Sequence, residues 1–310
     1  MRTVFFGTPD FAVESLDAIM QSRHEVAAVV TVPDRQAGRG QKTVFSPVKE
    51  YALAHGLPLL QPEKLRDESF LEALRSLQAD VFVVVAFRML PEAVWAMPPH
   101  GTFNLHASLL PRYRGAAPIN WAIINGEHET GVTTFLLNHH IDEGAILLQE
   151  RTPIGPEDNA GTLHDRLAAM GRGLVVRTLD TMEDGSLAPL PQQGIPCPAP
   201  KIFKEDCLID FGQPGEKVVD FVRGLAPYPA AIMMLRSPKG ETVPFKVFDI
   251  RFQSGNSAVP KSISTDGKKV LKIGVANGFV EILSLQMAGK KKNSIEDFLR
   301  GNKLTDWEPV

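Results

Sequence analysis

Hydrophobic positions along the chain fall into two kinds of run. Val4-Phe5-Phe6, Val26 to Val32 and Val81 to Ala86 are dense β-branched or aromatic stretches of strand length, the pattern of strands buried on both faces. Between them the spacing changes to that of helices lying on a sheet. Phe11, Leu16, Ile19 and Met20 share one face. Ser46 followed by Pro47 predicts an N-cap and first turn, with a helix to about His55 that Gly56 closes. Further helices are expected over 67–77, from Pro91, over 119–126 and from Thr162 to about Asp184, with a short strand at Leu57 to Leu60. Strands alternating with helices predict an α/β domain with a mostly parallel sheet and crossover helices.

The pattern changes near residue 189. Pro189 to Pro200 is proline-rich and reads as an extended linker. After Ile209-Asp210-Phe211 comes a helix from about Gly215 to Leu225, ended by Ala226-Pro227-Tyr228-Pro229. Short strands then follow at Ile232–Leu235, Phe245–Ile250, Val270–Gly274 and Phe279–Leu283, separated by Gly, Pro, Asn and Asp turns. Such spacing predicts a small β-barrel. The expected division is therefore residues 1–188, a linker over 189–206, and a barrel domain over 207–310.

One stretch carries most of the candidate chemistry. Thr102, Phe103 and Leu105 alternate with Asn104 and His106, which places the amide and the imidazole on one face of a strand. A loop follows with Ser108-Leu109-Leu110-Pro111, Arg112, Arg114, Gly115 and Pro118. Ligand sites in open α/β sheets lie beyond the carboxyl ends of strands. A second polar loop, Asn138 to Gly144, carries Asp142 between two apolar runs, 130–137 and 145–149, read as an antiparallel pair. If the loops meet, Asn104, His106 and Asp142 form an amide–imidazole–carboxylate set. Acyl transfer to an amine needs those parts: a hydrogen-bond donor for a developing oxyanion, and a histidine held by a carboxylate to carry the amine proton.

Charge is unevenly spread. Residues 1–200 carry 16 Lys+Arg against 23 Asp+Glu, and residues 201–310 carry 17 against 13, so −7 and +4 make up the net −3. A basic carboxyl-terminal part suggests a polyanionic partner. Two places offer cations for one. The glycine-rich loop 33–42 holds Arg35, Arg39 and Lys42, and Lys290-Lys291-Lys292 follows Gly289. Composition leaves two readings of each open, a solvated surface or a phosphate contact. Cys197 and Cys207 form neither a Cys-x-x-Cys pair nor a disulfide framework, which predicts a reduced, cytoplasmic protein. The first residues do not read as a signal peptide or membrane span. Gly7-Thr8-Pro9-Asp10 is not a dinucleotide fingerprint. A metal at His139-His140-Ile141-Asp142 is not expected, since adjacent histidines on extended chain point apart.

Asn104-x-His106, Ser108-Leu109-Leu110-Pro111 and Asp142 resemble the signature of the 10-formyltetrahydrofolate-dependent formyltransferases. The likeness runs from Val4-Phe-Phe-Gly-Thr-Pro-Asp-Phe-Ala12 to Leu285-Gln-Met-Ala-Gly-Lys290, and within the superfamily it is to those acting on methionyl-tRNA. The resemblance implies a Rossmann-like formyltransferase domain followed by a smaller OB-like barrel. It implies 10-formyltetrahydrofolate as formyl donor, initiator methionyl-tRNA as acceptor, and no metal, membrane or obligate protein partner. Asn104, His106 and Asp142 would be catalytic. The folate would lie along Ser108, Leu109, Leu110 and Pro111 and along Ala86, Phe87, Arg88, Met89 and Leu90. The family commonly has Tyr-Gly after this strand where Phe87-Arg88 stands here. Arg35, Arg39 and Lys42, with Lys290, Lys291 and Lys292, would contact the tRNA. Two alternatives share parts of the pattern: a formyltransferase for a sugar-nucleotide or purine-precursor amine, and an RNA-binding protein with an inactive transferase domain.

Overall fold

The computed structural model describes residues 1–37, 42–255, 259–304 and 306–310. The chain begins β1 (Arg2–Gly7), α1 (Asp10–Met20), β2 (Glu25–Val30), β3 (Arg35–Ala37), β4 (Lys42–Val44), α2 (Pro47–Ala54) and β5 (Leu59–Leu60). It continues α3 (Glu68–Ser76), β6 (Val81–Val85), α4 (Glu92–Trp95), β7 (Thr102–His106), β8 (Arg112–Gly115) and α5 (Pro118–Ile124). Next come β9 (Glu129–Leu136), β10 (Ile146–Pro153), α6 (Ala160–Glu183), β11 (Cys197–Ala199) and α7 (Gly215–Leu225). The remainder is β12 (Ala231–Arg236), β13 (Thr242–Ser254), β14 (Ile263–Thr265), β15 (Leu271–Val275), β16 (Gly278–Met287), β17 (Asn293–Ser294), α8 (Ile295–Gly301) and β18 (Glu308–Pro309). Two compact units emerge. One holds 1–115, 129–152 and 164–198, and the other holds 116–128, 153–163 and 199–310.

The first unit is built on a seven-stranded sheet in the order β10-β9-β7-β6-β1-β2-β5. The pairs β5–β2–β1–β6–β7 are parallel, and β7 pairs antiparallel with β9. Period two sorts the central strands onto two faces. Val4 and Phe6 of β1 pack with Phe82 and Val84 of β6 against Phe70, Leu71 and Leu74 of α3. Phe5 and Phe103 project from the opposite face and are fully buried. α6 presses on that face at Gly171, where an added Cβ would sit 2.5 Å from Leu105 Cδ2. Ser46 caps α2, its Oγ accepting from Lys49 N–H at 3.1 Å, with Pro47 in the first turn.

The second unit is an antiparallel, barrel-like sheet in the order β14-β15-β16-β13-β12-β18, with β17 also on β16. Its core combines Met233, Phe245, Val247, Leu271, Ile273, Val280, Ile282 and Leu285 with Val218, Val222 and Leu225 of α7 and Phe298 of α8. The strands expected at 245–250 and 279–283 are longer, running through β13 and β16. The loop expected over 33–42 contains the antiparallel pair β3–β4. β8 and α8 were not expected. β8 reads Arg-Tyr-Arg-Gly, with too little apolar patterning to signal a strand. Among the described residues no helix is long and apolar enough to cross a membrane.

Candidate active site

β7 sets out the first two groups. Its antiparallel register with β9 places Asn104 opposite Phe135 and His106 opposite Thr133. Val84 of β6 lies on the other side of Asn104. His106 is buried, and Asn104 is half-buried on the same strand face. The His106 ring stands edge-on to Phe135, with centroids 6.4 Å apart.

The loop after β7 turns back and fixes the ring. His106 Nε2 is 2.8 Å from the carbonyl oxygen of Tyr113. A carbonyl only accepts, so Nε2 carries the hydrogen and Nδ1 is left as the nitrogen that can take up a proton. His106 Nδ1 is 3.9 Å from Asp142 Oδ2. This is an ion-pair approach, too long for a hydrogen bond. The same oxygen accepts from Gly115 N–H at 2.9 Å. The structure thus brings His106 and the Asp142 loop together, with Asn104 two residues back on the same face.

Three left-handed, non-glycine residues stand around the site: Ala86 (φ 48°) after β6, Tyr113 (φ 60°) in β8 and Asp142 (φ 55°) in the loop after β9. Each such conformation costs about 1–3 kcal/mol and persists only when its surroundings over-determine it. For Asp142 the surroundings are tight. Gly144, two residues on, runs so close to β9 that an added Cβ would lie 1.5 Å from Leu136 O.

The residues expected along the folate divide by exposure. Ser108 is fully buried and its Oγ donates to Arg112 O at 2.6 Å, while Thr133 Oγ1 donates to Ser108 O at 2.6 Å. Gln149 Nε2 donates to Leu110 O at 3.0 Å. Leu110 and Pro111, joined by a cis peptide bond, are buried and Leu109 is half-buried. This loop therefore spends its polar groups on its own shape. The loop after β6 is more open. Ala86 and Met89 are exposed, with Met89 73% accessible, and Phe87 packs on Phe6. Arg88, Met89, Leu90 and Pro91 line a cavity of about 390 Å³ together with Lys64, Leu65, Arg66 and Asp67. The Arg88 guanidinium reaches the carbonyls of Pro62 and Glu63, tying that segment to the loop.

Of the cations expected to meet RNA, Arg35, Lys290, Lys291 and Lys292 are exposed. Arg35 is on β3 and Lys42 begins β4, while Arg39 lies outside the described residues. The root of this hairpin is firmly built. Lys49, buried, donates from Nζ to Asp34 at 2.6 and 2.7 Å and to Gln61 at 3.0 Å. The hydrogen bond from Lys49 holds the Asp34 carboxyl below the usual carboxylate range. Lys290, Lys291 and Lys292 are exposed on the turn between β16 and β17, where Lys292 Nζ lies 4.6 Å from the Phe248 ring centre.

Comparison with known proteins now bears on this geometry. Residues 1–179 match the model of the formyl transferase family, and residues 201–303 match its C-terminal domain. The chain belongs to the formyl transferase family. A methionyl-tRNA formyltransferase of Bacteroides fragilis is 53% identical over 99% of this chain and 96% of its own length. That of Porphyromonas gingivalis is 48% identical over 98% of this chain and 97% of its own. Among solved structures, HypX from Aquifex aeolicus in complex with tetrahydrofolic acid has a TM-score of 0.66 at 19% identity, spanning 99% of this chain and 48% of that one. The N-formyltransferase from Helicobacter canadensis in complex with folinic acid and dTDP-3-aminofucose has a TM-score of 0.64 at 20% identity, over 94% of this chain and 99% of that one. The sequence predicts no metal at His139-His140-Ile141-Asp142. Among the described residues the cluster with metal-like spacing is elsewhere, at His24, Asp180 and Glu183, and Arg23 pairs with both carboxylates at 2.9 Å.

The neighbours of Asp142 were not legible in advance. Gln192 donates from Nε2 to Asp142 O at 2.8 Å and to Gly144 O at 2.9 Å. It lies in the stretch read only as a linker, 50 positions from Asp142 and 48 from Gly144, and a glutamine among prolines carries no pattern that points to them.

Proposed function

We propose that the protein transfers the formyl group of 10-formyltetrahydrofolate to the α-amine of methionine on initiator tRNA. The observation that carries the reading is the approach of His106 Nδ1 to Asp142 at 3.9 Å, on the strand face that also presents Asn104. Full-length relatives at about half identity, both named for methionyl-tRNA, support this acceptor over an amino sugar. The first unit is then the catalytic, folate-binding part and the second the tRNA platform, working in the cytoplasm.

The chemistry follows from the residues. The free amine attacks the formyl carbon, and the carbonyl oxygen becomes an oxyanion that Asn104 Nδ2 stabilises by donating to it. The new ammonium loses a proton to His106 Nδ1, whose Nε2–H is engaged by Tyr113 O. Asp142, anchored by Gly115 N–H, balances the imidazolium charge. Collapse of the tetrahedral intermediate breaks the bond to N10 of the folate, which leaves with the returned proton as tetrahydrofolate. The folate lies along Ala86 to Leu90 and Ser108 to Pro111. Backbone groups and apolar side chains supply the contacts in the second stretch, since Ser108 Oγ is already bonded to Arg112 O.

The test is direct. The protein is incubated with 10-formyltetrahydrofolate and either methionine-charged initiator tRNA or a dTDP-amino sugar. Acid-stable formylmethionine from the tRNA alone is expected. Formyl transfer to the sugar alone would refute the acceptor, and no transfer to either would refute the reading.

A further inference from the structure

The stretch from Pro189 to Pro198 does more than lead away from α6. Leu190 exchanges both backbone hydrogen bonds with Ile146 at the start of β10, at 2.7 and 2.9 Å. Two residues later the Gln192 side chain meets the Asp142 loop. Its Nε2 donates to the carbonyls of Asp142 and Gly144. Its Oε1 accepts from Arg114 Nε at 3.1 Å and Nη2 at 2.7 Å. Arg114 Nη1 in turn donates to Glu143 Oε1 at 2.8 Å, and Gly115 donates to the Asp142 carboxylate.

One amide thus uses both its N–H donors on the Asp142 turn and both its acceptor lone pairs on Arg114 of β8. Its orientation is not free. Arg114 offers donors only, so the oxygen must face it and the nitrogen must face the two carbonyls. Asp142 sits left-handed, and that conformation needs contacts to hold it. The carbonyl of Asp142 is held from the Gln192 side and its carboxylate from the Gly115 side.

We infer that Gln192 is a positioning residue, clamping the Asp142 turn so that the carboxylate stays directed at His106 Nδ1. Its partner Arg114 sets the amide the right way round. The inference rests on the reading of Asp142 as the carboxylate that serves His106. It assigns to the segment after α6 a role in turnover, with no part in holding folate or RNA.

The test compares Q192A, Q192E and D142N with the wild type, measuring kcat and KM for both substrates together with Tm. Misplacing a group by about an ångström can cost on the order of 10²-fold. Q192A is expected to lower kcat by roughly 10–100-fold, with both KM values within about twofold and Tm nearly unmoved. Q192E is isosteric and still accepts from Arg114, but it turns an oxygen on the two carbonyls. It is expected to be at least as impaired as Q192A, and it keeps the test open if Q192A does not fold. Q192A/D142N should be no slower than D142N. A Q192E variant with wild-type kcat means that the bond to Arg114 alone matters, and overturns the clamp. So does Q192A at wild-type kcat beside an impaired D142N, or a loss confined to KM. D142N at wild-type turnover overturns both the clamp and the site reading beneath it.

Discussion

At the scale of single residues, the proposed mechanism gives the oxyanion donor and the proton carrier to different side chains. Asn104 projects from β7 with no role in the strand's own hydrogen bonding, since that is made by backbone groups. Asn104→Ala is expected to lower kcat by ~10²–10³-fold, with tetrahydrofolate affinity unchanged in a binding titration. Near wild-type turnover would make Asn104 structural. His106 and Asp142 should behave as one unit, because the imidazolium and the carboxylate serve the same step. His106→Ala and Asp142→Asn each reduce turnover, and the double variant should be barely slower than the worse single one. Losses that add in log rate would refute the pairing. Asn104 and His106 were legible in the sequence because a period of two puts i and i+2 on one face whatever the rest of the chain does. Asp142 was legible as a lone acid in a polar loop between two apolar runs. Gln192 and the left-handed Tyr113 were not. Their significance comes from a loop folding back on a partner, and sequence spacing holds no record of that.

At the scale of elements, turns fixed by one side chain stand out. Asp266, between β14 and β15, accepts from the backbone N–H groups of Lys268, Lys269 and Val270 at 2.8–2.9 Å. These donors bring its carboxyl down from 3.8 to about 2. The folded state thus favours the ionised form. That contribution to stability is whole above about pH 4 and fades as pH falls towards 2. Asp266→Asn should therefore lower Tm at pH 7 and flatten the dependence of Tm on pH on the acid side, the two proteins converging towards pH 2. An acid-side slope equal to wild type would show that the turn is not held by this charge. The apolar runs gave β1, β2 and β6 away because a parallel strand covered on both faces admits little else. β3, β4 and β8 escaped notice because three or four polar residues carry no period. Their pairing depends on partners, as Arg35 with Val44 shows.

At the scale of the whole molecule, cations on separate units give separable expectations. Changing Lys290, Lys291 and Lys292 to alanine should weaken tRNA binding and flatten its salt dependence, by roughly 0.7–0.9 in log–log slope for each phosphate left without its lysine. An unchanged slope would remove this turn from the RNA interface. Arg35 and Arg39 variants should instead lower kcat/KM, since the rooted hairpin of Lys49 and Asp34 suits placement more than capture. The bridge from Leu190 to β10 has one more consequence, for how copies of the chain meet each other. β10 is the last strand of its sheet, and an open edge invites a strand from another molecule. Leu190 turns both its backbone groups inward to Ile146, so the groups of residues 189 and 191 face outward. Both are proline, and neither has an N–H to offer. Pro189→Thr/Pro191→Thr should restore those donors and raise light scattering on gentle heating, with Tm little altered. Scattering equal to wild type would mean that the edge is guarded by something else.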